Sequence, residues 1–209
     1  MARGRFIALE GGEGVGKTTQ LRALAARFEQ LGMKVLTTRE PGGSPGAEAI
    51  RHLLLGGEEG RWSARAEALL FAAARADHVE KTISPVLDDG GWVLSDRFLD
   101  SSLAYQGAGL GLGIAAVRQL HAIGSDGFLP DRTLILVLPD DEGAARAARR
   151  DQGASDRIGR RSADFHRAVD SGFRQLAAEE PQRVRLVDAS GDPSDVTARL
   201  LNELADLLP

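Results

Sequence analysis

Apolar positions along the chain follow two rhythms. Short unbroken apolar runs recur, and between them lie longer stretches in which apolar residues return every three or four positions. Phe6-Ile7-Ala8-Leu9 is the first such run, suited to a buried strand. After it Leu21, Leu24, Phe28 and Leu31 repeat at helical spacing until Gly32 supplies a stop. Further strands are predicted at 34–38, 92–95, 133–138 and 184–187, each separated from the next by a helical pattern. Alternation of this kind predicts βαβ units, and hence an α/β fold with a parallel sheet flanked by helices on both faces. From 63 to 87 an Ala- and Leu-rich segment predicts a helix reaching the neighbourhood of Pro85, since proline removes a helix donor. In the last helix Asp192 is the cap, Pro193 takes the first turn, and Val196, Leu200, Leu204 and Leu207 form the buried stripe. The chain contains no internal repeat.

Composition narrows this picture without redirecting it. A chain of 209 residues suffices for one α/β domain, 1–209, with a substantial core, and would crowd a second. Hydrophobic residues at 43% and charged residues at 27% are the ordinary globular balance. A formal charge of −4 provides no global attraction for nucleic acid, so any polyanion site must be local. With no cysteine, disulfides and thiolate metal sites are excluded, and the four scattered histidines lack zinc-ligand spacing. Mg²⁺ is the metal to expect. Met1-Ala2-Arg3-Gly4-Arg5 runs straight into the first strand, and no apolar run reaches membrane-spanning length, which leads us to expect a cytoplasmic protein with no membrane partner.

Between the first strand and the first helix lies the main chemical signal, Gly11-Gly12-Glu13-Gly14-Val15-Gly16-Lys17-Thr18. It fits G-x-x-x-x-G-K-[ST] at every fixed position. Glycines let backbone N–H groups turn inward around phosphates, Lys17 supplies a cation, and Thr18 offers a hydroxyl to Mg²⁺. Residues 11 to 18 with Thr19 are thus the expected triphosphate site, the helix N-terminus being aimed at the anion. The alternative is a plain β–α turn, which would need fewer of these glycines.

Two more features bear on chemistry. Asp96 and Arg97 end the third predicted strand, at the edge where parallel sheets place their sites, so Asp96 could complete a magnesium shell and Arg97 could grip a second phosphate. A structural Asp–Arg pair explains these two residues equally well. From 146 to 161 the chain reads RAARRDQGASDRIGRR, with six arginines. Such a run fits a solvated helix end and a surface loop; beside a phosphate loop it also fits a lid that closes over a triphosphate.

In combination, LEGGEGVGKTT (9–19), TREPGG (38–43), LFAAAR (70–75), SDRFLDSSLAYQG (95–107) and SDRIG (155–159) resemble bacterial thymidylate kinase across most of the chain. The resemblance implies a P-loop nucleoside monophosphate kinase fold that transfers a phosphoryl group from ATP to dTMP, giving dTDP for dTTP synthesis. It implies Mg²⁺ as cofactor, a homodimer, and no nucleic-acid partner. Phe71 matches the aromatic that stacks on thymine, and Arg75 matches the group that hydrogen-bonds a thymine carbonyl. On a helix the two share a face, although an aromatic in an apolar helix is otherwise a core residue. Ser102 and Gln106 match contacts near the base, and Tyr105 matches the tyrosine that packs on the sugar and leaves no room for a 2′-hydroxyl. Arg51 and Arg97 match arginines on the monophosphate, Glu13 the P-loop acid, and Glu40 and Pro41 the substrate-side loop.

Relatives carry the catalytic arginine either in the P-loop, where this chain has Gly14, or in the lid. The chain resembles the second type, which makes Arg157 the expected contact to the transferring phosphoryl group and Arg150 the next, among lid arginines that include Arg149. Arg146 resembles the arginine on the adenine face. There are two departures: Gly159 stands where an acid often follows Asp-Arg-Ile, and Phe165 and Phe173 replace the tyrosine expected after the lid. The nearest alternative is a related P-loop kinase for another nucleoside monophosphate or a deoxynucleoside, against which Phe71, Arg75 and Tyr105 argue through the resemblance; other phosphate-loop classes fit less well. Guanine-specific switches use Asn-Lys-x-Asp and protein kinases need a catalytic-loop asparagine, whereas the sole asparagine is Asn202 in the final helix.

Overall fold

The computed structural model describes residues 3–58, 60–138 and 157–208. Strands β1 (Phe6–Gly11), β2 (Val35–Arg39), β3 (Trp92–Asp96), β4 (Arg132–Val137) and β5 (Val184–Asp188) form one sheet in the order β2-β3-β1-β4-β5, every pairing parallel. All the predicted strands are present, with ends displaced by no more than two residues. Because the strands are parallel, all C-terminal ends lie on one edge, with β1 in the middle. Leu9 pairs with Asp96, and Asp96 with Arg39, so the third strand's acidic residue lies in register with the β1 residue two positions before the phosphate loop.

Side-chain alternation along β1 divides the core. Ile7 and Leu9 face a cluster with Leu24 and Phe28 of α1 (Lys17–Gln30) and with Val196 and Leu200 of the terminal helix (Pro193–Asn202). Phe6 and Ala8 face the opposite layer, where Val79, Ile83 and Leu103 pack. Each fully buried Phe or Leu contributes about 1.5–3 kcal/mol. The opposite layer is built from α2 (Pro45–Leu55), α3 (Ala64–His78), α4 (Ser84–Asp88), α5 (Leu99–Ser102), α6 (Ile114–Ser125) and α7 (Ala163–Glu179). The terminal helix is α8.

Two local expectations change. The helix predicted to stop near Pro85 continues to Asp88, because a π-helical segment, Val79–Ile83, resets the hydrogen bonding and places Pro85 in the first turn of α4, where its missing N–H costs nothing. Asp192 precedes α8 as predicted, but its side chain makes no capping hydrogen bond.

A second π-helical segment, Leu103–Gly109, follows α5 and carries the Ala-Tyr-Gln-Gly motif. Against it lies α7, brought close by Gly172, where a Cβ would come within 2.9 Å of the Ala108 methyl. Phe165 and Phe173 of α7 meet the Tyr105 ring edge-on at 5.9 and 6.2 Å between centroids. The phenylalanines that replace the expected tyrosine therefore brace Tyr105 from behind.

Candidate active site

The phosphate loop leaves the sheet edge at Gly11, where φ is +127° and a Cβ would come within 2.4 Å of the Leu136 carbonyl oxygen, so only glycine fits. Gly16, at φ +94°, turns the chain into α1, whose first turn carries no acidic residue to neutralise its N–H groups. Lys17 Nζ donates to the carbonyls of Gly11 at 3.1 Å and Gly12 at 2.6 Å. Burial and then the nearby Arg97 guanidinium push its pKa down to about 7, against the pull of Asp96. A bound polyphosphate would reverse that shift. Val15, in contrast, turns its side chain into the core, so its part in nucleotide binding can only be through its backbone.

Thr18 Oγ1 donates to Asp96 Oδ2 at 3.2 Å, which joins the two expected magnesium residues. Among the described residues no cluster of three or more acids, histidines or cysteines could hold a metal alone. A hydroxyl and one carboxylate beside a phosphate loop nevertheless fit Mg²⁺, which keeps several waters and takes its remaining ligands from substrate phosphates.

Arg97 lies at the centre of the site. A rare positive φ of +73° points its side chain back across the sheet edge. Nη1 donates to the Gly11 carbonyl at 3.0 Å and to Ser101 Oγ at 2.9 Å, Nη2 to the Tyr105 hydroxyl at 3.3 Å, and the guanidinium lies over the Tyr105 ring. Burial disfavours its charge, but Tyr105, Glu10, Asp96 and Glu13 outweigh this and hold it firmly protonated. Burial also raises the Tyr105 hydroxyl pKa.

Glu10, at the end of β1, holds this turn in place. Fully buried, it accepts from the Phe98 amide at 2.8 Å, the Ser101 amide at 3.0 Å and Ser101 Oγ at 2.5 Å. Burial pushes its pKa up to about 7, opposed by Arg97. Sequence reasoning assigned it no role, although period-two alternation after Phe6 and Ala8 already points its side chain inward.

Beside the loop is a cavity of about 100 Å³ lined by Glu40, Pro41, Arg51, Phe71, Arg75, Arg97, Ser102, Tyr105 and Gln106, together with Glu13, Leu55, Phe98, Ser101 and Ile158. Every residue expected on the acceptor side thus comes together here. A second cavity, of about 240 Å³, is lined by Glu13, Gly14, Gly16, Lys17, Thr18, Thr19 and Asp96. The two share Glu13, Glu40, Arg51 and Arg97, so they meet where two arginines stand. Of the loop residues expected at the nucleotide, Gly11, Gly12 and Val15 are not in that lining.

Arg157 goes elsewhere. Instead of reaching the phosphate loop it is fully buried, donating from Nη2 to Glu67 Oε2 at 2.6 Å and from Nε to the Leu54 carbonyl at 3.0 Å. Glu67 is itself fully buried in α3, and an unpaired carboxylate there would be costly, so it collects Arg157, Arg161 at 2.7 Å and Gln106 Nε2 at 3.0 Å. Arg146, Arg149 and Arg150 lie outside the described residues. Glu67 and His78 escaped sequence reasoning, yet both extend the helical stripe of Phe71 and Arg75 by one turn at either end.

A parallel sheet with a phosphate loop after its central strand, and an arginine-lined junction to a second pocket, defines a P-loop nucleotide kinase. The sequence-family model for thymidylate kinase matches residues 9–200. A thymidylate kinase of Rhizorhabdus wittichii is 61% identical over 206 residues, covering 99% of both chains. One from Rhodopseudomonas palustris is 51% identical, covering 95% of this chain and 87% of the relative. The crystal structure of thymidylate kinase from Ehrlichia chaffeensis superposes with a TM-score of 0.78 at 30% identity, covering 97% of this chain and 99% of that one. The chain belongs to the thymidylate kinase family and is a nucleoside monophosphate kinase.

Proposed function

We propose that the chain transfers the γ-phosphoryl group of ATP to dTMP, yielding ADP and dTDP. The observation that carries this reading is the junction of the two cavities at Arg97, Arg51 and Glu13, with the phosphate loop on one side and the complete acceptor set on the other. Both substrates are strongly anionic, so the protein's tasks are to neutralise charge, align the acceptor oxygen in line and exclude water. The acceptor phosphate is already ionised at neutral pH, so no general base is needed.

In this reading Phe71 stacks on the base and Arg75 donates to a ring carbonyl. Tyr105, braced by α7, packs on the sugar, while Arg97 and Arg51 hold the acceptor phosphate. On the donor side Lys17 and the loop amides hold the β- and γ-phosphates. Thr18 and Asp96 would hold Mg²⁺, which supplies charge neutralisation at those phosphates. Since Arg157 is committed to Glu67, Arg150 becomes our candidate for the cation at the transferring group, with Arg146 on the adenine.

A homodimer fits the exposed apolar residues Leu69 on α3 and Ile123 on α6, 55% and 83% accessible on helices that pack together. No helix of the described residues is long and apolar enough to cross a membrane, in keeping with a cytoplasmic enzyme. The test is a phosphotransfer panel with dTMP, dUMP, UMP, CMP and thymidine, with and without EDTA. dTMP is expected to be the preferred acceptor, with activity abolished by EDTA; preference for another acceptor defeats the reading.

A further inference from the structure

The base-facing arginine does not stand alone. Arg75 Nε donates to Glu40 Oε2 at 2.8 Å, and Nη2 donates to Ser102 Oγ at 2.8 Å and to the Phe98 carbonyl at 3.2 Å. Nη1 makes no hydrogen bond to any described residue, and Arg75 lines the acceptor cavity, which leaves Nη1 for a ligand. The orientation of that donor depends on Glu40, which is held in turn from the far side.

His78 does the holding. It lies one turn after Arg75 at the end of α3, fully buried, with Nδ1 at 3.1 Å from Glu40 Oε1 and Nε2 at 2.8 Å from Thr38 Oγ1. A neutral imidazole protonated on Nδ1 satisfies both, donating to Glu40 and accepting from the Thr38 hydroxyl. The chain is packed to permit this contact: at Gly43, φ +89°, a Cβ would lie 2.3 Å from His78 Nε2. Thr82 Oγ1 donates to the Gly43 carbonyl at 2.8 Å and Ser44 Oγ to Asp77 Oδ2 at 2.6 Å, so one face of the α3–π–α4 rod grips the whole loop from Thr38 to Ser44.

We infer that His78 is a positioning residue for acceptor recognition, acting through Glu40 to fix the direction in which Arg75 presents its free donor. Glu40 can bridge two partners only if each oxygen has its own, one facing the arginine and the other the imidazole. Without His78, Glu40 Oε1 is left buried and unpaired, and the carboxylate rotates to recover a partner, taking Arg75 with it. A donor turned away from a ring carbonyl loses both affinity and the ability to reject an amino group in the same place.

The inference rests on dTMP as acceptor and is tested with His78→Ala, His78→Gln and His78→Asn, following dTMP binding by calorimetry, steady-state kinetics with dTMP and dCMP, and thermal melting. An asparagine amide sits where imidazole Nδ1 does and restores the donor to Glu40; a glutamine amide reaches the Nε2 position and serves only Thr38. His78→Ala and His78→Gln should weaken dTMP binding about tenfold or more, with KM for ATP unchanged, kcat within about threefold, and a dTMP-over-dCMP preference reduced by a similar factor. His78→Asn should stay within about threefold of wild type.

Rescue by Gln but not Asn, a fall in kcat without loss of dTMP affinity, or wild-type affinity in all three variants overturns the role. If Ala and Gln do not fold, the affinity of His78→Asn decides, and if Asn also fails to fold, the residue only holds the structure and the proposal fails. Wild-type enzyme without dTMP-dependent ADP formation defeats the acceptor assignment and this role together. Wild-type activity with unshifted variants defeats the role alone.

Discussion

The two halves of the cleft are made by different means. On the donor side the site is one contiguous loop in which glycines take positive φ angles and Lys17 and Thr18 supply the side-chain chemistry. On the acceptor side the recognising groups are side chains from α2, α3, α5, the segments after β2 and β3 and the π-helical segment after α5, and among them Arg75 is seated by the buried Glu40 and Gln106 by the buried Glu67. The backbone site demands glycine where φ is positive, at Gly11, Gly14 and Gly16, but needs little support from other side chains. A side-chain site must keep ionised groups out of water, and each needs a partner to make that tolerable. Damage to the first should appear in the chemistry, and damage to the second in binding and folding.

The sharpest test of that contrast is Lys17→Ala. Its ammonium bonds only loop carbonyls, so Tm should scarcely move while kcat/KM falls on the order of 10³- to 10⁴-fold, about 4–5.5 kcal/mol of transition-state stabilisation. Activity within tenfold of wild type in a coupled ADP assay would contradict the description of the donor half. On the acceptor side Arg157→Ala should do the reverse, costing about 3 kcal/mol of stability, because it removes one of the two arginines that hold the buried Glu67 and leaves Arg161 and Gln106 to do so alone. Arg150→Ala is expected to lower kcat and leave urea unfolding unchanged. A catalytic loss at Arg157 without a loss of stability would return that residue to the phosphoryl group.

A smaller effect tests the joint between the halves. The folded pKa of Glu10 is raised from 4.5 to about 7, so its contribution to stability is complete below about pH 4.5 and is lost as pH rises through 7. Glu10→Gln has no such loss. Between pH 4.5 and 7.5 the variant should therefore gain on wild type by up to about 3 kcal/mol in urea unfolding. Parallel pH profiles for the two proteins would show that Glu10 is not the buried acid described.

Legibility in the sequence follows the same division. The phosphate loop and the strands could be read because their signals are local: a motif of consecutive residues and runs such as Phe6 to Leu9. The continuation of the helix past Pro85 could not, since the π-helical segment that accommodates it leaves no composition signature. Phe71, Arg75, Tyr105 and Gln106 were read through resemblance alone, because nothing in an apolar helix distinguishes a ligand-facing aromatic from a core one. Their supports, Glu67, His78 and Glu10, had a signal that went unused: a charged or polar group on the inward face of an element must have a buried partner. Arg157 shows the converse. Its neighbours in sequence suggested phosphate, but its destination was set by Glu67, a residue 90 positions away.

Arg97 bonds the carbonyl of Gly11 with one nitrogen and the hydroxyl of Tyr105 with another. The spacing between the donor loop and the acceptor wall is thus set by the length of one side chain and not by two elements free to slide. Phe71 lines the same cavity but makes neither of those bonds, so repacking around it leaves the span in place. Anything that displaces Tyr105 is transmitted to the loop. Selectivity and catalysis are separable at the base end of the cleft and inseparable at the phosphate end.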